Sequence, residues 1–313
     1  MKILIELPTW LGDGVMTTPA IENLLNYYGE AEVSIVGSFI SVEALKNNPK
    51  IIKTYVLDKN YFNTYKILQS LEEFDVFFSF RSSFRARLMK LFIQSKAKYQ
   101  FNKNIYSKGH QVEKYNNFIN ESLKINSIPN SLKLNTKNQK KEATKKLLGI
   151  NPGASYGSAK RWHPKRFAEV AIGLSTEYDI IIFGGVREKE IAKDIENYLI
   201  EMGVNNYQNL ASITTINELI SQIANLDLLI TGDSGPMHLA AAFQIPTVAI
   251  FGPTKDNETS QWMNEKSIIV KKNLECQPCM KRTCPLKHHN CMKMVVASDV
   301  LRSVKAFNEP VNS

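Results

Sequence analysis

Several stretches of this 313-residue chain combine residue types and spacings that can do chemistry. Gly12-Asp13-Gly14 sets a carboxylate between two glycines, just after an apolar run. That charge would repel a pyrophosphate, but it can take a proton from a hydroxyl. It can equally cap the helix that follows, as Asp often does. Lys160-Arg161 closes the Gly- and Ser-containing loop 152–162. Two fixed cations beside free backbone N–H groups make an anion clamp, able to neutralise a departing diphosphate as a metal ion would. Gly232-Asp233-Ser234-Gly235, with Pro236 and His238 after it, opens an Ala-rich helix at the end of another apolar run. A tight glycine turn leading into a helix N-terminus suits a phosphate, although an unliganded crossover has the same form. His238, one turn in, can reach a phosphate or a sugar hydroxyl, or simply pack within that turn.

Two further sets carry weaker signals. Arg81 and Arg85 follow the apolar run 76–80 and can face an anionic acceptor or remain surface charges. The four cysteines are spaced Cys276-x2-Cys279-x4-Cys284-x6-Cys291, with His288 and His289 among them. The C-x2-C pair is a zinc half-site, whereas the second half is irregular for zinc. The other reading is a Cys-rich loop packed beside the active cleft, and no bound metal is expected.

These residues need elements to hold them. Apolar runs at 3–7, 32–36, 55–57 and 76–80 alternate with helical periodicity over 16–28, 42–46, 61–71 and 83–93. A further strand is expected at 98–101. Residues 106–120 read as a polar loop running into a helix, and the Asn-, Lys- and Ser-rich stretch 126–144 as an exposed linker. The second half repeats the alternation. Strands are expected at 147–151, 179–183, 226–230 and 247–251, and helices at 164–175, 188–202, 216–224, 237–243 and 297–308. Such βαβ series predict doubly wound parallel sheets with ligands at the carboxyl ends of the strands. The expected division is 1–145, 146–296 and a final helical segment 297–313.

Composition limits the function. A hydrophobic share of 43% and a charged share of 22% are those of a soluble globular protein. No apolar run reaches the ~20 residues of a membrane span. Glu6 and Asp13 interrupt the N-terminal apolar stretch, so it does not read as a signal peptide, and a cytoplasmic protein is expected. The net charge of +9 is concentrated: residues 1–145 hold 21 Lys+Arg against 13 Asp+Glu. A basic N-terminal half implies an anionic partner, be it a phosphorylated substrate, a membrane surface or nucleic acid.

Taken together, three motifs resemble the lipopolysaccharide-core heptosyltransferases, glycosyltransferase family 9. They are Gly12-Asp13-x-x-Met16-Thr17-Thr18-Pro19-Ala20-Ile21, Pro152-Gly153-Ala154 running to Lys160-Arg161-Trp162, and Asp233-Ser234-Gly235-x-x-His238 with Phe251-Gly252-Pro253-Thr254. Ala159-Lys160-Arg161-Trp162, Cys284-Pro285 and Cys291-Met292 resemble the branch that adds a heptose to an inner-core heptose. The resemblance implies a GT-B fold, with two Rossmann-like domains facing across a cleft and the last helix crossing back to the first. It implies metal-independent inverting transfer of L-glycero-D-manno-heptose from ADP-heptose to heptosyl-Kdo2-lipid A, by a peripheral protein on the inner membrane face with no cofactor. Asp13 would be the base and Lys160 would stabilise the departing ADP. Ser155, Tyr156, Arg161, Asp233, Ser234, Gly235 and His238 would bind the donor. Glu188 is the candidate for the acidic ribose position, and Leu210 and Ala211 would lie near adenine. Gly12, Gly14, Thr17, Arg81 and Arg85 would face the acceptor. A monomer is expected.

Rival readings remain. The branch adding the first heptose, or another nucleotide sugar such as a UDP-sugar, fits the same motifs. A nicotinamide oxidoreductase shares the sheet, but no G-x-G-x-x-G follows Leu7. A basic nucleic-acid-binding protein would use the charged half, but no interleaved aromatic and basic stripe stands out.

Overall fold

The computed structural model describes residues 1–58, 60–136, 145–153 and 156–307. The chain divides into two compact units, Met1–Asn135 and Thr136–Ser313.

The N-terminal unit is built on β1 (Lys2–Glu6), β2 (Glu32–Gly37), β3 (Ile51–Val56), β4 (Phe74–Ser79) and β5 (Ser95–Gln100). All pairs are parallel, in the order β3-β2-β1-β4-β5. Ile3, Leu4, Ile5, Phe77 and Phe78 are fully buried, because helices cover both faces of a parallel sheet. Those helices are α1 (Leu11–Met16), α2 (Thr18–Tyr28), α3 (Phe39–Leu45), α4 (Tyr61–Gln69), α5 (Phe84–Phe92) and α6 (Gln111–Leu123). The winding direction reverses between β1 and β4. In such sheets the crevice beyond the carboxyl ends of those two strands is the place for a ligand.

The C-terminal unit has six parallel strands in the order β11-β10-β9-β6-β7-β8. They are β6 (Lys146–Asn151), β7 (Tyr178–Ile182), β8 (Tyr207–Asn209), β9 (Leu228–Gly232), β10 (Thr247–Ile250) and β11 (Ser267–Val270). The helices are α7 (Pro164–Leu174), α8 (Lys189–Glu201), α9 (Ile216–Ala224), α10 (Gly235–Ala242), α11 (Asp256–Thr259), α12 (Asn290–Lys293) and α13 (Ala297–Ala306). Leu148, Ile150, Ile180, Ile182, Ile230 and Val248 form the sheet's share of a core completed by α7, α8 and α13. Here the reversal falls between β6 and β9, where Asn151 and Thr231 stand side by side.

The structure revises four expectations. Gly12-Asp13-Gly14 is helical rather than loop: α1 begins at Leu11 and breaks at Thr17 before α2 starts. Pro19 explains the break, since it has no N–H to continue the ladder to Val15. The hydroxyls of Thr17 and Thr18 cover the carbonyls of Gly14 and Val15 instead (2.6 and 2.8 Å). Residues 126–135 are not a free linker. Amides of Asn116 and Asn120 donate to the Ser127 carbonyl and Asn23 to that of Ile128, the Lys133 N–H donates to Thr18, and Leu132 is buried. That strap moves the division from Lys145 to Asn135; residues 137–144 lie outside the described residues. The last helix, expected to cross back to the N-terminal domain, is built into the C-terminal unit over Ala297–Ala306, with Val300 and Val304 in its core. Its apolar stripe fits the surface of α7 and β11. Finally, β8 and β11 had no counterpart in the sequence reading, being short and only partly apolar. No helix among the described residues is long and apolar enough to cross a membrane.

Candidate functional site

Each unit gathers polar side chains at the carboxyl edge of its sheet. In the N-terminal unit the loop after β1 is pinned by α3. The Ser41 hydroxyl donates to the Pro8 carbonyl (2.5 Å) and the Ser38 hydroxyl to that of Thr9 (2.8 Å). Gly14 permits the approach, since an added Cβ would stand 3.3 Å from Ser41 Oγ. Asp13 therefore occupies the first turn of α1, half-buried, where the helix dipole favours a negative charge. The N-cap is Trp10, so the capping role weighed for Asp13 is not the one it takes. Its charge reaches Tyr115 of α6, whose phenol is pushed up in pKa first by burial and then by Asp13.

The same unit holds a buried group that sequence reasoning missed. Glu6, fully buried at the end of β1, accepts the Ser79 hydroxyl (2.5 Å) and pairs with Arg81 (3.1 Å). Burial raises the Glu6 carboxyl pKa, and Arg81 and Ser79 oppose the rise. A charge ending a buried apolar strand was the available signal. Arg81, expected on the acceptor, is thus committed to Glu6. Arg85 is likewise engaged, by the Asp58 carbonyl and the Thr64 hydroxyl. Thr17 is fully buried with its hydroxyl on the backbone, and Gly12 is buried in α1. Of the five residues expected at the acceptor, none is a free surface group.

The C-terminal unit forms a denser cluster. Lys160 ends a single 3-10 turn, Ser158–Lys160. Trp162 anchors that turn: it is buried, donates to the Val295 carbonyl (2.9 Å) and packs edge-on against Phe167. The Lys160 ammonium pairs with Asp233 Oδ2 at 2.5 Å, and the Thr254 hydroxyl donates to the same oxygen (2.6 Å). It also stands 4.8 Å from the Tyr156 ring centroid, with Arg282 at 5.4 Å from the same ring. Tyr156 donates to the Met280 carbonyl (2.8 Å), so its hydroxyl is occupied by the chain. Arg161 Nε is buried with no hydrogen-bond partner among the described residues.

At the reversal of the sheet, Asn151 Nδ2 donates to Thr231 Oγ1 (2.9 Å) and Ser234 Oγ (2.8 Å), fixing the entry to α10. Ser234 is the extended residue before that helix and makes no side-chain cap. In the first turn of α10 Pro236 has no N–H and that of Met237 returns to the Ser234 carbonyl (3.1 Å), so the N–H groups of Ser234 and Gly235 are the ones left to meet a ligand at this end. His238 is buried one turn in. Asn151 and Thr231 were given no role because their neighbours in sequence are apolar or turn-forming, and Thr254 entered only as the end of a motif.

Glu188 sits across the same edge, 4% exposed. Its Oε2 accepts the Gly185 N–H (3.0 Å), while Oε1 is buried with no partner among the described residues. Three glycines frame it. An added Cβ would come within 2.9 Å of Glu188 Cγ at Gly153, 3.0 Å of its Cβ at Gly184 and 2.9 Å of its Oε2 at Gly185. Gly184 also faces Ala211, at 3.3 Å, and Leu210 continues β8 by donating to the Ile182 carbonyl (2.9 Å). Lys160, Asp233, Ser234, Gly235, Glu188 and Ala211 therefore share one edge of one sheet. Ser155 lies outside the described residues.

The cysteines are free and line one small cavity of about 20 Å³ with His288, His289 and Ala159. Burial, then the neighbouring Cys276, Cys284 and Cys279, push the Cys291 thiol up to about 11. Among the described residues no three His, Cys, Asp or Glu are placed to hold a metal ion. What the segment does is brace the Lys160 turn. The Ala159 N–H donates to the Arg282 carbonyl (3.0 Å), and His289 Nε2 donates to the Ala159 carbonyl (2.8 Å).

The profile of glycosyltransferase family 9 (heptosyltransferase) matches residues 76–290. Lipooligosaccharide heptosyltransferase 2 of Campylobacter jejuni subsp. jejuni serotype O:2 is 44% identical over 313 aligned residues, 97% of this chain and 98% of that one. Its counterpart from serotype O:6 is 40% identical, covering 99% and 100%. Among solved structures, ADP-heptose lipopolysaccharide heptosyltransferase II of E. coli superposes with a TM-score of 0.81 over 98% of both chains at 22% identity, a likeness of fold.

Proposed function

Since the chain belongs to glycosyltransferase family 9, the heptosyltransferases, we propose that it moves L-glycero-D-manno-heptose from ADP-heptose onto the heptose of the lipopolysaccharide inner core, with inversion and without a metal. The observation that carries the donor half of this reading is the unpartnered Glu188 Oε1 beside Ala211, on the edge that also holds Lys160 and the α10 N-terminus. A buried acceptor awaiting a donor suits a ribose hydroxyl, since leaving it unmade is costly. Ala211 and Leu210 then flank the adenine. The backbone N–H groups of Ser234 and Gly235, Arg161 Nε and, from the same loop in sequence, Ser155 would hold the diphosphate, a charge-assisted arrangement at a helix N-terminus. Tyr156 acts through its ring, stacking under Lys160.

In the mechanism, Asp13 takes the proton from the acceptor hydroxyl as that oxygen attacks the anomeric carbon. The bond to the diphosphate breaks, and Lys160 meets the charge that develops on ADP. Asp233 and Thr254 keep Lys160 aimed until then. Glu6 and Arg81 hold the floor of the acceptor side. The basic charge of residues 1–145 favours an anionic acceptor, heptosyl-Kdo2-lipid A, met by a peripheral, monomeric protein at the inner membrane face.

A thermal-shift panel of ADP, ADP-heptose, UDP-sugars and NAD tests the reading. ADP and ADP-heptose are expected to raise the melting temperature, the others not. Stabilisation by a UDP-sugar or by NAD instead of ADP would overturn it.

A further inference from the structure

The helices α4 and α5 lie against each other on the N-terminal unit, with Tyr65 edge-on to Phe92 at 5.5 Å. Their inward faces are ordinary: Leu68 and Met89 join Phe74 and Phe77 in a core cluster. Their outward faces are not. Phe84 and Leu91 are each 73% exposed, Phe62 62% and Phe92 53%, with Tyr65 and Leu88 beside them. Phe84, Leu88 and Leu91 repeat at helical spacing, so this is a continuous apolar stripe and not scattered residues. Neither helix contains an Asp or Glu, and Lys66 and Arg87 are exposed among the rings. Lys66 is held 4.5 Å above the Phe62 ring.

We infer that the α4–α5 face is the surface by which this protein docks on a bilayer carrying anionic lipid. Aromatic and aliphatic side chains flanked by cations, on helices that carry no carboxylate, are what an interfacial membrane contact uses: the rings enter the headgroup boundary and the cations meet the phosphates. The charge decides between occupants. A second copy of this face would set Lys66, Arg87 and Lys90 against themselves, which disfavours a self-pairing surface. Arg85 turns inward and fastens the helices together through the Asp58 carbonyl and Thr64 hydroxyl, so the face is presented as a unit. The inference rests on the peripheral-membrane reading above and gives it a location.

The test is co-sedimentation of the full chain with phosphatidylglycerol-containing and pure phosphatidylcholine vesicles. Wild type is expected to pellet with the former and much less with the latter. The pair Phe84→Ser with Leu91→Ser, and separately Arg87→Gln with Lys90→Gln, should each weaken the partition about tenfold or more. ADP-induced thermal stabilisation should be unchanged in both, which shows that they are folded. Wild-type levels of pelleting by both variants would overturn this location while leaving membrane association standing. Wild type left in the supernatant with every vesicle would overturn both. Concentration-dependent dimerisation lost in the Phe84 and Leu91 variant, without vesicle binding, would assign the face to a second copy and also overturn the inference.

Discussion

A carboxylate does different work in Asp13 and in Glu6. Asp13 is half-buried in the first turn of a six-residue helix, where the helix dipole favours a negative charge. Asp13→Ala is expected to cut turnover by roughly 10²–10⁴-fold with ADP binding nearly intact. Lys160→Ala should weaken both, because in the proposed mechanism Lys160 meets the diphosphate in ground and transition states alike. Steady-state kinetics beside ADP titrations would separate the two, and near-wild-type turnover in Asp13→Ala would remove the base. Glu6 is closed off from solvent, and burial holds its carboxyl above the ordinary 4.5. The folded unit therefore keeps this proton more tightly than the unfolded chain. The stability this gives is complete below the ordinary carboxyl range and is lost as pH rises through the raised value. Denaturant melts between about pH 4 and 7 should show a flatter pH dependence in Glu6→Gln than in wild type; identical slopes would mean that Arg81 and Ser79 fully offset the burial.

Elements set these residues by close approach. The turn Ser158–Lys160 is gripped from one side by Trp162 and from the other by the cysteine segment. Gly157 makes the second grip possible, since a Cβ there would overlap the carbonyl of Arg282. The obstruction is backbone, so it cannot swing away. Gly157→Ala is expected to cost about 1–3 kcal/mol and to loosen Lys160, seen as a lowered melting temperature together with weaker ADP binding. A variant melting like wild type would show that the segment yields. The same segment carries the cysteines: their cavity of about 20 Å³ lies against Ala159, next to the lysine proposed to meet the departing ADP.

For the whole molecule, the proposed reading distributes ligand chemistry one half to a unit. The residues proposed for the donor all lie beyond Thr136, whereas Asp13, Glu6 and Arg81 all lie before it. Hydrogen exchange with and without ADP should therefore show new protection around 151–161, 184–188, 210–212 and 231–238, with β1 and α1 unchanged. Protection confined to the N-terminal unit would refute this division of labour. Global stability should rise by about 2.7 kcal/mol at 100 times the dissociation constant, as for any ligand bound only by the folded state.

Much of this was legible in the amino-acid order. The alternation of apolar runs and helical stripes determined two parallel α/β sheets, because the period of burial is a local property of each segment. The glycine turns with Lys160 and Asp233 pointed to the edge proposed for the donor, because phosphate needs open N–H groups and cations whatever the surroundings. Other features arose only on folding. Glu6, Asn151 and Thr254 gain their roles from residues 75, 83 and 21 positions away. Arg81 looked like a free cation until Glu6 claimed it, and the Asn-rich stretch after Ile125 looked like a linker until its amide partners met it. Hydrogen-bond partners distant in sequence leave no periodic trace, so only the tertiary structure could assign them.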